Sequence, residues 1–372
     1  MTIQTKKARC NVTIKERSPM TSEEIAQIDP SGMRSLILNF PRQVEEAVVI
    51  GTASKIKFSI SKINNIVVSG LGGSAIGGDL LRSYLADEIG VPIAVSRNYY
   101  LPEYVDERSL VIVSSYSGNT EETISSHHDA VKRKAKVLCI TSGGSVKQLA
   151  AKKKQPVLDI PGGLPPRAAL GYSFFPTLIV LSKLGFFKSK KKEIDETIAL
   201  LKEKATAYGD LLSQNNSALG IARALHGKLP VVYSSVDRFD AVNVRWRGQI
   251  SENAKTLAYG HVFPELNHNE IVGWEVLKDV MKKIHVVILR DNEDNPRIQL
   301  RMNITKEIIK DFADGITEVR SEGKSVLARM FSLLYLGDWV SFYLAMLNGV
   351  DPTPVKKIDF LKNELAKVTA KN

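Results

Sequence analysis

The sequence predicts an α/β protein built from two doubly wound parallel sheets with helices on both faces of each. Two observations predict this class. Short β-branched runs alternate with stretches of helical periodicity in both halves of the chain, and glycine- or serine-rich turns join several strands to the helices that follow. At 372 residues, with 44% hydrophobic and 24% charged residues, the chain is also long enough for two such cores.

The first unit follows a polar start and one predicted helix. Asp29 is the expected N-cap of that helix, with Pro30 in its first turn and Leu36, Ile37 and Phe40 along its length. Strands are then predicted at 63–69, 92–96, 110–114, 136–141 and 156–160, and helices at 75–85, at 120–133 and from Ser145. This alternation makes one doubly wound unit.

A polar helix over about 190–213 leads to the second unit. Predicted strands lie at 230–234, 284–289 and 316–319, with helices from Asp240, from Pro296 and from Ser325 to Leu347. The segment 351–354 then breaks the chain before a last helix. We therefore divide the chain into an N-terminal extension with its helix (1–62), a first α/β unit (63–187), a helical linker (188–228) and a second α/β unit (229–372).

Composition and charge exclude several classes of protein. Disorder, collagen and disulfide-stapled miniproteins do not have this composition. The net charge of +11 attracts anions without choosing among them, and the basic residues are spread along the chain with no RNA-binding signature, so we expect a solvated basic face and no nucleic-acid partner. Cys10 and Cys139 fit no zinc or redox motif, and no apolar run reaches the ~18 residues of a membrane span. These features predict a reduced, cytoplasmic protein that does not bind membranes.

A glycine-rich turn at 70–75 lies between a predicted strand and a predicted helix. Its glycines permit close backbone approach, and the start of the helix offers free N–H groups to an anion such as phosphate. The turn also half-matches the dinucleotide-binding fingerprint, but the next strand ends in Val95-Ser96-Arg97 without the acidic residue that would hold a ribose. A nicotinamide site and a purely structural turn remain alternatives to a phosphate site.

A second turn, at 114–122, again follows an apolar run and opens a helix. Asn119 or Thr120 is the expected N-cap, and acids occupy the first turn beside the positive helix end. Capping accounts for Thr120 and Glu122, but it requires neither Ser115 nor Ser117. Two hydroxyl-bearing turns at the carboxyl ends of strands in one sheet favour a phosphate held by hydroxyls and helix N–H groups.

Other motifs predict less. The segment 323–325 resembles the end of a P-loop, but Glu318 stands where that motif needs glycine, and the six histidines form no metal-ligand set, so we predict neither a nucleotide cofactor nor a metal. Three further segments, 163–167, 249–253 and 264–270, are denser in polar groups than a fold alone requires. Taken singly, each of their residues is more often structural.

Six segments together carry a family resemblance: GLGGSAIGGD, SSYSGNTEET, GGLPPRAALGY, SENAK, PELNHNEIVGW and DPTPVKKIDFLK. From about Asp29 to the C-terminus, the chain resembles the bifunctional phosphoglucose/phosphomannose isomerases of the sugar isomerase (SIS) fold. The resemblance implies two SIS subdomains and an aldose–ketose isomerisation of a hexose 6-phosphate through a cis-enediol, without metal or cofactor, in a homodimer.

The resemblance also implies roles for individual residues. Glu252 matches the base that moves a proton between C1 and C2, and Arg167 matches the cation beside the developing negative charge. His268 matches a ring-opening residue that reaches the site from the partner subunit, and a C-terminal lysine assists it. The phosphate-binding positions are Ser74, Ser115, Ser117 and Thr120, the further substrate contacts are Gly73 and Thr353, and the lysine is Lys362, with Lys356 and Lys357 as alternatives.

Two rival functions belong to other classes. A non-catalytic SIS module that senses sugar phosphates would need only the hydroxyl turns, and would not use Glu252, Arg167 and His268 together. An amino-sugar phosphate isomerase or synthase is the enzymatic rival, although the N-terminal nucleophilic cysteine domain of the glutamine-dependent synthases is missing from the sequence.

Overall fold

The computed structural model describes residues 21–213 and 215–368. In these residues two parallel sheets form. The first has the order β2-β1-β3-β4-β5 and consists of β1 (Asn65–Ser69), β2 (Ile93–Ser96), β3 (Ser109–Ser114), β4 (Lys136–Thr141) and β5 (Val157–Asp159). The second has the order β7-β6-β8-β9 and consists of β6 (Leu229–Ser235), β7 (Tyr259–Phe263), β8 (Ile284–Arg290) and β9 (Gly315–Arg320). The predicted fold class, two parallel sheets covered by helices on both faces, is confirmed.

Helices cover both sheets and fill the space between them. The first half contains α1 (Ser22–Ile28), α2 (Met33–Leu38), α3 (Phe40–Ala53), α4 (Gly72–Leu85), α5 (Glu121–Lys132), α6 (Gly144–Lys152) and α7 (Leu170–Leu184). The second half contains α8 (Lys191–Gly209), α9 (Ser217–Leu225), α10 (Asp240–Ala254), α11 (Lys278–Met281), α12 (Pro296–Ile309), α13 (Val326–Leu347) and α14 (Lys356–Lys367). Short 3₁₀ helices lie at Pro166–Ala168, Glu265–His268 and Glu270–Gly273.

The start of the chain differs from the prediction. The N-cap residue is Gly32 and not Asp29, although the Asp29 carboxylate still binds the start of the helix: its Oδ1 accepts from the Met33 N–H and its Oδ2 from the Arg34 N–H, both at 2.8 Å. The helix begins at Met33, and Pro30 lies in the preceding turn. Gly32, at φ 73°, makes that turn in a conformation that residues with a side chain rarely adopt. The predicted single helix is therefore two, α2 and α3, which meet at Asn39.

Two elements that the sequence analysis did not predict are important for the packing. Strand β7 forms the edge of the second sheet and is half-exposed along most of its length. Helix α7 is apolar on nearly every side, is largely buried against α3 and α4, and places Phe174 and Phe175 against Phe331 of α13. A helix without a polar face has no 3.6-residue hydrophobic stripe, and this removes the usual sequence signal.

Helices α10 and α13 pack closely in the centre of the molecule. The Trp246 indole N–H donates to the Leu333 carbonyl at 2.8 Å, and a Cβ at Gly337 would lie only 2.4 Å from the Trp246 Nε1 atom. This close packing fixes α10 against the core. Among the described residues, α13 is also the one helix long and apolar enough to span a membrane by length and composition, and 94% of its apolar window is buried inside the protein.

Of the two cysteines, only Cys139 lies in the part of the chain that the structure describes. The Cys139 thiol is free and buried in β4, and this burial raises its pKa to about 12. Cys10 lies outside the described residues, as does the first part of the predicted N-terminal extension. The boundaries at 62, 187 and 228 stay predictions.

Candidate functional site

Two turns meet at the carboxyl edge of the first sheet. Strands β1 and β3 are neighbours, so the glycine-rich turn after β1 and the serine-rich turn after β3 adjoin. The Tyr116 N–H donates to the Ser74 Oγ at 3.1 Å, and the Ser114 hydroxyl donates to the Ser74 carbonyl at 3.3 Å. These contacts join the two turns into one surface. We call Ser74, Ser115, Ser117 and Thr120 on this surface the hydroxyl cradle.

The serine-rich turn presents its hydroxyls as a connected group. The Ser115 Oγ lies 3.2 Å from the Thr120 Oγ1 and accepts from the Gly118 N–H at 3.1 Å, while the Ser117 Oγ accepts from the Asn119 N–H at 3.3 Å. Thr120 occupies the N-cap position of α5, as predicted, but its side chain makes no capping hydrogen bond. Capping therefore does not explain this hydroxyl.

The first turns of α4 and α5 both face this edge of the sheet. Neither helix has a side-chain cap in the described part of the chain, so the N–H groups at their starts are not taken by a cap. Free N–H groups beside hydroxyls, at the positive ends of two helix dipoles, make a favourable environment for an anion.

Gly73 brings Arg167 to the cradle. A Cβ at Gly73 would lie 2.5 Å from the Pro166 carbonyl oxygen and 3.0 Å from the Arg167 nitrogen. The loop that carries Arg167 can approach α4 this closely only because Gly73 has no side chain. The proline pair before Arg167 holds that loop in a 3₁₀ turn. The glycine thus positions a cation beside the start of α4.

Arg167 is almost completely buried, with 4% of its surface exposed. Its Nε donates to the Asn253 Oδ1 at 2.7 Å, its Nη1 to the Glu252 Oε2 at 3.3 Å, and its Nη2 to the carbonyls of Pro352 and Thr353 at 2.7 and 2.9 Å. A guanidinium has about five N–H groups in all, so one Nη1 proton has no partner among the described residues. Burial lowers the pKa of Arg167, and the neighbouring Glu252 opposes that shift.

Glu252 lies in the last turns of α10, and its side chain is one-third exposed. Together with Arg167 it lines a cavity of about 130 Å³ that Gly72, Gly73 and Arg97 also border. The cavity therefore connects a carboxylate and a guanidinium to the turn that carries Ser74. A hydrogen-bonded cation and a solvent-accessible carboxylate, side by side, can move a proton and stabilise the negative charge that forms.

A buried ion pair between Arg245 and Asp338 contacts the backbone of Arg167. Arg245 contacts Asp338 through two nitrogens at 3.1 and 2.7 Å, and it also donates to the Arg167 carbonyl at 3.0 Å. Gln249 donates to the same carboxylate at 2.8 Å. Burial raises the pKa of Asp338, and Arg245 offsets part of that shift. Sequence analysis missed this group, although an acid in the middle of the apolar helix α13 was a signal that a buried partner existed.

Thr353 borders the same region through the backbone. Its carbonyl accepts from Arg167, and its N–H donates to the Asp351 Oδ1 at 2.9 Å. The Thr353 hydroxyl oxygen is buried and has no hydrogen-bond partner in the described chain. A buried polar atom without a partner carries a cost, and a bound ligand would remove it.

The structure does not bring His268 or the C-terminal lysines to this cavity within a single chain. His268 is exposed in the 3₁₀ helix that follows β7. Lys356, Lys357 and Lys362 are exposed on α14, a helix with no buried residue. None of the four lines the cavity that contains Arg167 and Glu252. In residues 21–213 and 215–368, no three His, Cys, Asp or Glu side chains are grouped as metal ligands would be.

Comparisons with known proteins cover most of the chain. The family model of the SIS domain matches residues 59–181, and the model described as the bacterial phospho-glucose isomerase C-terminal SIS domain matches residues 214–365. A bifunctional phosphoglucose/phosphomannose isomerase from Caldicellulosiruptor bescii is 47% identical over 333 residues, which are 89% of this chain and 98% of that relative. One from Aquifex aeolicus is 38% identical over 309 residues, 83% of this chain and 92% of the relative.

A solved structure gives the same fold. The crystal structure of a hypothetical protein from Thermus thermophilus matches with a TM-score of 0.70 at 15% identity, and the match covers 93% of this chain and 92% of that one. At this identity the match supports the fold alone.

Proposed function

This chain belongs to the bifunctional phosphoglucose/phosphomannose isomerase family, and we propose that it interconverts fructose 6-phosphate with glucose 6-phosphate and mannose 6-phosphate. One observation carries the proposal for the site. The Arg167 guanidinium contacts the Glu252 carboxylate in a cavity that borders the glycine turn of the hydroxyl cradle. Charge stabilisation, proton transfer and anion binding therefore meet within one small volume.

We assign the sugar phosphate group to the hydroxyl cradle. Hydroxyls of Ser74, Ser115, Ser117 and Thr120, with the N–H groups at the starts of α4 and α5, can donate to the phosphate oxygens. Gly73 permits the close approach of the Arg167 loop to this group. The other end of the open-chain sugar then extends toward Glu252.

We assign the proton transfer to Glu252. Its carboxylate removes the proton from C2 of the open-chain aldose, the C–H electron pair forms the C1=C2 double bond, and the C1 carbonyl oxygen takes up a proton from solvent to give the cis-enediol. When the carboxyl group returns its proton to C1, the C2 hydroxyl releases its own proton to solvent and becomes the carbonyl of the ketose. The unpartnered Nη1 N–H of Arg167 stabilises the negative charge on oxygen during both transfers. Thr353 borders the space in which the intermediate rotates about C2–C3, and this rotation admits both epimers.

Ring opening is assigned to His268 and to Lys362, with Lys356 and Lys357 as alternatives. An imidazole can transfer the proton of the ring oxygen near neutral pH. The exposed position of His268, away from the cavity of its own chain, supports a homodimer in which it serves the site of the partner subunit. We further propose that the two SIS subdomains span 63–187 and 229–372. We also propose a cytoplasmic location, and the free buried thiol of Cys139 supports this location.

A sugar-phosphate sensor without catalysis is less well supported. A sensor would need the hydroxyl cradle, but it would gain nothing from a buried guanidinium beside a carboxylate. Burying such a charge carries a desolvation cost. Here several acceptors, including the Asn253 amide oxygen and two backbone carbonyls, compensate that cost at Arg167.

The experiment combines turnover with isotope exchange. Purified protein with fructose 6-phosphate should form both aldose 6-phosphates, and in heavy water it should incorporate deuterium at carbon. Glu252→Gln keeps the shape but cannot accept the proton, so turnover should fall roughly 10²- to 10⁴-fold with a small change in KM. Near-normal turnover and exchange in this variant would contradict the assignment of the base.

A second experiment tests the dimer. Mixing inactive Glu252→Gln and His268→Ala chains under subunit exchange should restore activity, because hybrid dimers contain a site with both groups intact. No recovery despite exchange would argue against a shared site.

A further inference from the structure

The loop 351–354, which carries Thr353, is held by two cations rather than one. Arg167 donates hydrogen bonds to the carbonyls of Pro352 and Thr353. The Lys255 ammonium donates to the carbonyls of Pro352 and Pro354 at 3.0 and 2.7 Å and to the Glu252 carbonyl at 2.5 Å. An ammonium has about three N–H groups, so these acceptors satisfy all of them. Three successive carbonyls around Thr353 are thereby held: Lys255 ties those of Pro352 and Pro354 to the end of α10, and Arg167 binds those of Pro352 and Thr353.

The backbone at Lys255 is adapted to this contact. Lys255 follows the last residue of α10 in the left-handed conformation, at φ 56°, which is unusual for a residue with a side chain. Desolvation and the nearby Arg167 guanidinium lower the pKa of Lys255, while Asp351 and Glu252 oppose this shift. A lysine that only capped the helix could do so through the Glu252 carbonyl alone. The two proline carbonyls are additional, and they lie 97 and 99 residues further along the chain.

From these contacts we infer that Lys255 is a positioning residue that sets the ratio of the two epimeric products. It connects the turn of Glu252 directly to the loop of Thr353, so the base and the wall of the space for C2–C3 rotation stay in a fixed relation. Pro354 restricts Thr353 to extended conformations, and Lys255 fixes the carbonyl on the far side of that proline. This inference rests on the proposed function, because it concerns the partition of the proposed intermediate.

Loss of Lys255 should affect the two products unequally. Formation of mannose 6-phosphate depends on the rotation beside Thr353, whereas the Glu252–Arg167 contact and the hydroxyl cradle do not involve the lysine side chain. In Lys255→Met and Lys255→Gln, we expect the ratio of mannose 6-phosphate to glucose 6-phosphate formed from fructose 6-phosphate to fall about 3- to 10-fold, with KM little changed. Lys255→Arg can donate to the same carbonyls and should restore the ratio to within about twofold of the wild type.

A matched control separates positioning from general stability. Lys183 also holds backbone carbonyls, those of Thr52 and Ser54 at 2.8 and 2.5 Å, at the end of α3. Lys183→Met should leave the product ratio unchanged. An unchanged ratio in both Lys255 variants, or an equal shift in Lys183→Met, would overturn the inference. A wild-type protein that forms a single aldose would instead overturn the proposed function, and the inference with it.

Discussion

The carboxyl edges of the two sheets have the same parallel topology but opposite chemistry. At the first edge, the turns after β1 and β3 present hydroxyls whose partners are other hydroxyls and backbone groups. At the second edge, the hydroxyl of Ser235, the last residue of β6, donates to the Asp294 carboxylate at 2.6 Å, and the Ser321 hydroxyl after β9 donates to Asp291 at 2.6 Å. The same crevice thus favours an anion in one sheet and repels it in the other.

The second edge is closed by its own charges. Arg329 donates to Asp291 at 2.8 Å, and the Asp294 Oδ2 accepts the Asp291 N–H at 2.9 Å. Burial raises the pKa of Asp294. A cavity of about 270 Å³ remains here, but Asp294, Asp87 and Glu293 are among the residues that line it. The comparison shows that strand order creates the crevice, whereas the side chains after each strand set its charge and its free hydrogen-bonding groups.

Removing a cation from the second edge should have the largest of the three effects, and the quantity that changes should be the stability of the fold. Arg329→Met leaves the Asp291 carboxylate buried without its main partner, so the free energy of unfolding should fall by about 3–5 kcal/mol. Urea unfolding measures this change. KM for fructose 6-phosphate should stay at the wild-type value in the folded variant. Arg297→Met, at an exposed position of α12, is the control and should change neither quantity. An increase in KM at Arg329 alone would mean that the second edge also binds substrate.

Adding an acid to the first edge should make it resemble the second. In Ser117→Asp a carboxylate replaces a hydroxyl of the cradle, and its repulsion of the phosphate should raise KM by about 100-fold. Steady-state kinetics with fructose 6-phosphate measures this. Ser61→Asp is the control, because Ser61 is exposed and precedes β1, at the opposite edge of the sheet. A KM within a factor of about two of the wild type at Ser117→Asp would show that the phosphate binds elsewhere.

Removing one hydroxyl from the first edge should have the smallest effect. Thr120→Val keeps the shape of the side chain, so KM should rise only about 3- to 10-fold. The free energy of unfolding should fall by less than about 1 kcal/mol, because Thr120 makes no capping hydrogen bond to α5 and loses only its contact with the Ser115 hydroxyl. Thr206→Val makes the same replacement on the exposed face of α8 and is the control, which should leave KM unchanged. A stability loss of about 1 kcal/mol with an unchanged KM would identify Thr120 as a cap instead.

The sequence was sufficient to predict most of the central strands, because buried parallel strands are short β-branched runs. Strand β7 was missed for the opposite reason. It lies at an edge, it contains Gly260 and His261, and a Cβ at Gly260 would lie 2.2 Å from the Val232 carbonyl oxygen. The pairing with β6, rather than the propensity of its residues, makes this segment a strand.

The candidate site likewise contains one part that could be predicted from the sequence and one part that could not. The hydroxyl turns could be predicted because their residues are close in sequence and their placement follows from strand and helix order. The support of Arg167 could not be predicted, since its acceptors in α10 and in the loop 351–354 are between 85 and 186 residues away. Periodicity carries no information about such contacts. The motifs quoted for the resemblance contain Asn253 and Lys255, but only the folded chain shows what they hold.

The acceptors around Arg167 also set an order of events during protein synthesis. The Thr353 carbonyl follows Arg167 by 186 residues, so at typical synthesis rates it is made roughly 10 to 40 s later. The hydroxyl cradle, by contrast, is made entirely before Arg167. The residues of the cradle are therefore all synthesised before the last two acceptors of the Arg167 guanidinium. A chain cut short before Pro352 would therefore carry every hydroxyl of the cradle but would lack the two carbonyls that accept from the Arg167 Nη2.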